Sequence, residues 1–355
     1  MKTLKLRIKD KHANVLLAMA REVNQVWNFC NETSHKAIVD KRKFLSGYDL
    51  DKLTAGYTKL DGIRIGSMTV QEVSSEYATR RKQFKKNRLN WRVSNRKSSK
   101  YSLGWIPFKI GAAKYKAGQI QFAGIKFSLW DSYDLSKYKL RSGSFNQDAR
   151  GRWYINIAVE VPEFVGAHQP KPSIGIDLGL KTAVTCSDGT TLEGRTFRKF
   201  EKALAASQRA RTKSKTRSIQ AKIANVRKDA LHKLSTAIVR NNAQIFVGNV
   251  SSGKLVKTKM AKSTLDAGWS MFKTMLEYKS HQAGIVFEEV NESYTTQICS
   301  SCGVIPDSSP KGRADLNKRE WTCNECGAIH NRDVNSAINI RERGLSLLEV
   351  GIPVL

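Results

Sequence analysis

Residues 173–179 read Ser-Ile-Gly-Ile-Asp-Leu-Gly, a short apolar run that ends on the carboxylate of Asp177 between two glycines. A run of that length flanked by turn residues is a buried strand. The pattern that follows is α/β. Lys181 to Cys186 reads as a second strand, Asp188-Gly189 as a hairpin turn, and a third strand is expected near 190–196. A long basic helix is expected over 200–241, with Ile219, Ile223, Val226, Ala230, Leu234 and Ile238 as its apolar stripe. Ala243 to Val250 reads as a buried strand, 262–281 as a helix and 284–291 as a further strand.

Upstream, the period changes twice. Leu4, Leu6 and Ile8 alternate with Lys5, Arg7 and Lys9, which predicts a strand over 2–9. Val15, Met19, Val23, Val26 and Cys30 then recur at three- and four-residue spacing, an amphipathic helix. Alternation returns over 104–161, in Ile120/Phe122, Ile125/Phe127/Leu129 and Trp153/Ile155/Ile157/Val159, with Asp148 to Gly151 as a turn. This is a small β-barrel or β-sheet domain, and Pro162, Pro170 and Pro172 punctuate a linker after it.

The 355 residues carry 61 Lys+Arg against 31 Asp+Glu, a formal net charge of +30. An excess of that size points to a polyanionic partner, nucleic acid above all. It is concentrated in two places. Arg80, Arg81, Lys82, Lys85, Lys86 and Arg88 are interleaved with Phe84 and Trp91, so cations can hold phosphates while rings stack on bases or pack inward. Arg209, Arg211, Lys213, Lys215 and Arg217 lie on the polar face of the long helix. No apolar run approaches the roughly 20 residues that span a bilayer, and the first ten residues lack a signal-peptide core, so a cytoplasmic protein without membrane contact is expected.

Four of the six cysteines form two C-x-x-C pairs, Cys299/Cys302 and Cys323/Cys326, with twenty residues between them. Each pair aims two thiolates at one ion, and the two together make the tetrahedral sulfur set that Zn²⁺ favours. With every position filled by cysteine no place is left for a catalytic water, so the zinc is expected to be structural. Asp177 suits a metal or phosphate site, because its flanking glycines permit close backbone approach. Asp333 precedes the apolar face Val334, Ala337, Ile338, where an N-cap is the plain reading.

Taken together, Ile174 to Gly179, the late four-cysteine ribbon and Arg332-Asp-Val-Asn-Ser-Ala337 resemble the C-terminal half of TnpB proteins and of type V CRISPR effectors. The specific motifs cover about residues 173–341, and the N-terminal half is similar in layout only. The resemblance implies an α+β multidomain chain. A wedge-like β-barrel (1–10 and 101–165) would hold an inserted helical recognition domain (11–100). An RNase H-like α/β RuvC domain (173–298 and 327–343) would carry an inserted zinc ribbon (299–326), with a tail over 344–355. It also implies a guide RNA encoded near the gene, a double-stranded DNA target cut beside a short flanking motif, and two Mg²⁺ held by two Asp and one Glu. Asp177 matches the first acid and Asp333 the last.

The middle acid departs from that pattern. Gly248 stands where the family's Glu is expected, and Asn249 is neutral. Residues 285–292 read Ile-Val-Phe-Glu-Glu-Val-Asn-Glu. In an RNase H-type sheet this strand lies beside and parallel to the fourth, so Glu292 or Glu289 is the candidate replacement, with Gly248 leaving room for it. Three functions compete: an RNA-guided DNA endonuclease, a nuclease-inactive RNA-guided DNA-binding repressor, and a zinc-containing nucleic-acid module without a guide. Retention of both Asp177 and Asp333 favours the first, and Gly248 motivates the second.

Overall fold

The structure, a computed structural model, describes residues 1–161, 171–250, 261–312, 315 and 317–349. Pro162 and Pro170 of the linker, and 350–355 of the tail, lie outside the described residues. The chain forms two compact units, 1–162 and 163–355.

In the first unit, β1 (Lys2–Ile8), β2 (Trp105–Phe108), β3 (Ala113–Lys116), β4 (Gln119–Phe122), β5 (Ile125–Trp130), β6 (Leu140–Gln147) and β7 (Trp153–Val159) form one antiparallel sheet. Its order is β2-β6-β7-β1-β5-β4-β3. Alternation sets the register: Leu4 faces Ile157 and Leu6 faces Ile155, and all four are fully buried. Gly151 N–H bonds to the Asp148 carbonyl at 2.9 Å, so the expected turn is there. Helices α1 (Ala13–Lys41), α2 (Gly47–Leu53) and α3 (Ser67–Gln83) share the core of this sheet through Leu16, Met19, Val23, Val70, Val73 and Tyr77.

One face of α1 is polar, and it holds the chain after α3. Asn31 exchanges two hydrogen bonds with the backbone of Leu89, and Asn28 two with that of Arg92. Asn24 meets Ser94 and the Arg92 guanidinium. Residues at i, i+4 and i+7 share a helix face, so Asn28 and Asn31 act as surrogate strand partners for a segment that pairs with no sheet there, while Asn24 holds two of its side chains. The segment 80–92 is therefore partly helix and partly clamped loop.

In the second unit, β8 (Ser173–Asp177), β9 (Thr182–Cys186), β10 (Thr191–Glu193), β11 (Gln244–Gly248) and β12 (Val286–Val290) form a sheet of order β10-β9-β8-β11-β12. β8, β11 and β12 are mutually parallel and the two remaining strands are antiparallel. The carboxyl ends of β8, β11 and β12 thus point the same way, which is where open α/β sheets place their sites.

Two helix expectations need correction. The long basic helix is two, α4 (Glu201–Arg209) and α5 (Lys213–Asn241), broken where Arg211 takes the left-handed φ of +52°. The apolar stripe is also shorter than expected. Only Leu231, Ser235, Ile238 and Val239 of α5 are buried, and Val226 is exposed. Ile219 and Ile223 sit on a stretch that lacks a fully covered face, so their periodicity does not report burial. Likewise 262–281 is two helices, α6 (Ala261–Ala267) and α7 (Trp269–Ala283), parted by Gly268 at φ +68°. The last helix, α8 (Arg332–Glu349), runs past Gly344 into the tail, where Leu345, Leu347 and Leu348 pack on Phe246, Val290 and Ile340.

Candidate functional site

The four cysteine sulfurs lie within 4.8 Å of one another. Among the described residues they are the one cluster of three or more His, Cys, Asp or Glu groups gathered that tightly. A tetrahedral ion with metal–sulfur bonds of about 2.3 Å sets its sulfurs roughly 3.8 Å apart. Cys299 and Cys326 are 3.7 Å apart and Cys302 and Cys323 3.8 Å, so the set fits such an ion. The two knuckles repeat one geometry. Gly303 N–H bonds back to the Cys299 carbonyl and Gly327 N–H to that of Cys323, each at 2.8 Å, with φ of +78° and +74°. Only glycine takes that conformation without strain.

His330 is a part of this centre that sequence reading missed. Its Nε2 lies 3.0 Å from the Cys299 sulfur, and its ring stacks against Trp321. Burial works against the Cys299 thiolate, yet the backbone N–H groups of Cys302 and Ser301 and the His330 ring bring its pKa down to about 6. A histidine seven residues past the second knuckle's first cysteine was the available signal.

The acidic site lies at the strand ends. Asp177 is the last residue of β8, half-buried, and its Oδ1 accepts from Ser336 Oγ at 3.0 Å. Burial first, the Asp333 carboxylate second, and Glu292 after it push its pKa up to about 7, against the opposing pull of Ser336 and Arg332. Asp333 is held by an ion pair with Arg319. It is not the helix cap. Asn331 Oδ1 accepts from the backbone N–H groups of Asp333 and Val334, at 3.1 and 3.2 Å, and so satisfies the helix start. The Asp333 carboxylate is thereby released from capping; it pairs with Arg319, and its charge acts on Asp177.

Glu292 and Glu289 separate cleanly. β12 ends at Val290, whose carbonyl accepts from the N–H of Asn249, the residue after β11, at 2.9 Å. A Cβ placed on Gly248 would stand 2.7 Å from Glu292 Oε2 and 3.3 Å from Glu292 Cβ. The Glu292 carboxylate thus occupies the space that a side chain at 248 would take. Burial raises its pKa, with Lys273 opposing. Glu289 instead pairs with Lys273 at 2.6 Å, its side chain 44% exposed. It is not brought to Asp177.

Hydroxyl and amide contacts of Thr295, Asn335 and Asn339 tie the site together. Thr295 Oγ1 donates to the Glu292 carbonyl at 2.8 Å and lies 2.9 Å from Ser336 Oγ. Asn335 and Asn339, one helical turn apart, both donate to the carbonyls of Thr295 and Ile298. The asparagines of the Arg332 to Ile340 run therefore fasten the approach to the ribbon rather than hold a metal.

The basic residues divide. Arg81 is buried, donating to Ser34 Oγ and the Leu45 carbonyl; its place in the nucleic-acid set is corrected, since a guanidinium spent on two internal acceptors cannot reach a phosphate. Arg80 pairs with Glu76 at 2.6 Å. Lys82, Lys85, Lys86 and Arg88 are exposed. Phe84 and Trp91 face solvent at 56% and 41%, and Arg88 stacks over Trp91. Phe84, Lys86 and Trp91 line a groove of about 830 Å³ with Trp27 and Trp105. In the second unit Arg209, Arg211, Lys213, Lys215 and Arg217 are all exposed. No helix among the described residues is long and apolar enough to cross a membrane.

Residues 156–259 match the family model of a probable transposase, the IS605 OrfB type, and residues 269–340 match the TNB domain of Cas12f1-like proteins. A putative RNA-guided DNA endonuclease of Streptomyces pristinaespiralis is 31% identical over 221 residues, 58% of this chain and 53% of that protein. The putative RNA-guided DNA endonuclease InsQ of Escherichia coli K12 is 33% identical over 230 residues, 57% of this chain and 56% of that protein. The chain thus spans about half the length of the curated relatives it matches. A Cas12f1–sgRNA–target DNA complex solved by cryo-EM aligns over 96% of this chain and 98% of that one, at 18% identity and a TM-score of 0.39. Two family models on consecutive stretches, together with the relatives at 31% and 33% identity, make residues 156–340 similar to IS605 OrfB-type and Cas12f1-like proteins.

Proposed function

We propose that this chain is an RNA-guided DNA endonuclease in which Asp177, Glu292 and Asp333 together hold two Mg²⁺ ions. The observation that carries this reading is the Glu292 carboxylate standing in the side-chain space of Gly248. The acid lost from the end of β11 is replaced from beyond the end of β12, its parallel neighbour. A buried carboxylate such as Asp177, which the charges of Asp333 and Glu292 further disfavour, is costly to the folded chain unless a cation offsets it. Mg²⁺ suits hard oxygen ligands and keeps room for phosphate. When bound, a pair of such ions supplies an activated water on one side of the scissile phosphate and stabilisation of the leaving oxygen on the other.

The chain's own residues have separate tasks in this reading. Ser336 and Thr295 orient Asp177 and the Glu292 segment, and the four cysteines hold a structural zinc. Residues 1–10 with 101–165 act as a wedge-like domain and 11–100 as a recognition domain. The exposed cations Lys82, Lys85, Lys86 and Arg88, and those of 209–217, contact the backbones of guide RNA and target DNA, which position a duplex without reading its sequence. Guide pairing supplies sequence choice and the protein reads a short flanking motif.

The test is cleavage of plasmid DNA by the chain purified with RNA encoded beside its gene, against a guide-matched target with a randomised flank, in Mg²⁺ or EDTA. Cleavage is expected in Mg²⁺ only. It should be lost in Asp177→Ala and Glu292→Gln and kept in Glu289→Gln. Guide-dependent binding without cutting by the natural chain would replace this reading with the repressor one, and would make Gly248 a true loss of the acid.

A further inference from the structure

We infer that Arg343 is the positioning residue that makes Glu292 usable as a metal ligand. The inference rests on the proposed role of Glu292. Asp333, Ser336, Ile340 and Arg343 follow one another at spacings of three, four and three on α8, and so lie along one stripe of the helix. Three of them already meet the acidic site. Asp333 is one acid, Ser336 donates to Asp177, and the Ile340 methyl lies 3.2 Å from the Cβ position of residue 248. Arg343 completes the stripe. Its Nη1 donates to the carbonyl of Asn291 and, at 3.1 Å, to that of Ser293. These are the residues on either side of Glu292.

The need for such a clamp follows from where the acid has moved. Residue 248 is the last of a central strand, fixed on both sides by parallel neighbours. Glu292 lies two residues past the end of an edge strand. Where β12 ends, that segment is met from the neighbouring strand's side by Asn249, the residue after β11, whose N–H bonds to the Val290 carbonyl at 2.9 Å and whose Oδ1 lies 3.4 Å from Glu292 N. A ligand on a loop must be ordered each time an ion binds, and that ordering weakens affinity. A guanidinium bridging the two flanking carbonyls orders the loop beforehand, from the same helix that carries Asp333. Groups that orient a ligand in this way affect metal affinity on the order of 10- to 100-fold. The move of the acid from 248 to 292 is therefore a change of at least three residues: Gly248 opens the space, Glu292 fills it, and Arg343 holds Glu292 there.

The test is Mn²⁺ binding to the zinc-loaded full chain by isothermal titration, with amide hydrogen exchange as a second readout. Arg343→Gln is expected to weaken Mn²⁺ binding about tenfold or more, with faster exchange confined to 291–295 and an unchanged unfolding transition. In the background Gly248→Glu/Glu292→Gly, which returns the acid to the strand, Arg343→Gln should leave Mn²⁺ binding unchanged. An equal loss in both backgrounds, or faster exchange throughout α8, would make Arg343 merely structural and overturn the inference. So would native Mn²⁺ binding and native exchange at 291–295 in Arg343→Gln, while Glu292→Gln weakens the ion. If the returned-acid background does not fold, the exchange pattern decides alone. Glu292→Gln with native Mn²⁺ affinity would instead refute the role of Glu292, and Arg343 would fall with it.

Discussion

Replacing Gly175 by alanine tests how the acidic site is assembled. Gly175 lies in the middle of β8, and α8 crosses it closely. A Cβ at that position would stand 2.0 Å from the Ala337 carbonyl oxygen, 2.6 Å from Arg341 N and 2.9 Å from Arg341 Cβ. Carbon atoms of this kind do not approach backbone below about 3.0 Å, so the helix would have to retreat by about 1 Å. Two of the three nearest atoms are backbone, and no side-chain rotation relieves the clash. The retreat would carry Asp333 and Ser336 away from Asp177, because β8 bears one partner and α8 the other. The Ser336–Asp177 hydrogen bond, 3.0 Å long, would open to about 4 Å, beyond bonding distance.

Overpacking of this kind costs about 1–3 kcal/mol, and misplacing reacting groups by 1 Å costs on the order of 100-fold in rate. Gly175→Ala is therefore expected to lower stability in denaturant titration by about 1–3 kcal/mol and to remove most metal-dependent cleavage. Gly344→Ala is the comparison. Its Cβ would meet the Phe246 ring at 2.2 Å, at the far end of the same helix, where a side chain rather than backbone must give way. It should cost similar stability and less activity. A Gly175→Ala protein with native stability and full cleavage would refute the packing of α8 on β8 and, with it, the assembly of the site described above.

Other expectations concern charge and metal. Asp177, raised from 3.8 to about 7, binds a proton more tightly in the folded chain than in the unfolded one. Its contribution to metal-free stability is fully present below pH 3.8 and lost as pH rises through about 7. Since an ion must displace that proton, Mn²⁺ affinity should rise with pH up to about 7 and then level off; a flat profile over pH 5–8 in calorimetry would contradict this. Removal of zinc by a chelator should expose Cys299, Cys302, Cys323 and Cys326 to a thiol reagent while the buried Cys30 and Cys186 stay unreactive, so fast titration of all six thiols would count against a separate ribbon. Arg81→Ala should cost about 1–3 kcal/mol by stranding the Ser34 hydroxyl and the Leu45 carbonyl, and leave the salt dependence of RNA binding unchanged. Joint replacement of Lys82, Lys85 and Lys86 by alanine should lower the slope of log K against log salt by about 2 to 3 and leave stability near native.

Alternation and spacing were enough to read most elements where one face is buried. β1 and β7 pair through residues whose alternation is perfect, and β8, β11 and β12 are short apolar runs between turn residues. The failures share a physical origin. The stripe from Ile219 to Val226 has helical period, and a helix forms there, yet little covers it, because periodicity reports conformation and not the presence of a partner. Arg81 sits in a basic run, and charge alone does not tell which cation of a run points inward. The break at Arg211 has no glycine or proline to announce it. The asparagine face of α1 was invisible for a further reason: Asn28 and Asn31 bond backbone groups of Arg92 and Leu89, and backbone carries no sequence signal.

The candidate site was legible to the extent that it is made of rare residue types in fixed spacing. Four cysteines and the two aspartates could be found without coordinates. The third acid could be narrowed to Glu292 or Glu289, because both follow from the strand order, but choosing between them needs the point at which β12 ends. Two residues favour Glu292 in the proposed reading: Lys273, which pairs with Glu289, and Gly248, whose empty side-chain space holds the Glu292 carboxylate. What sequence could not show is that one helix stripe collects the parts. Asp333, Ser336, Ile340 and Arg343 are an acid, a hydroxyl, a methyl and a guanidinium, and nothing in their chemistry groups them. Their common feature is a helical phase relative to β8 and β11, and that phase is set by two glycines, Gly175 and Gly344, which let α8 lie close enough for its side chains to reach. A glycine beside an aspartate at the end of a strand reads most simply as room for phosphate. Here the room at Gly175 is taken by the protein's own helix, and the site depends on that helix staying where the missing Cβ allows it.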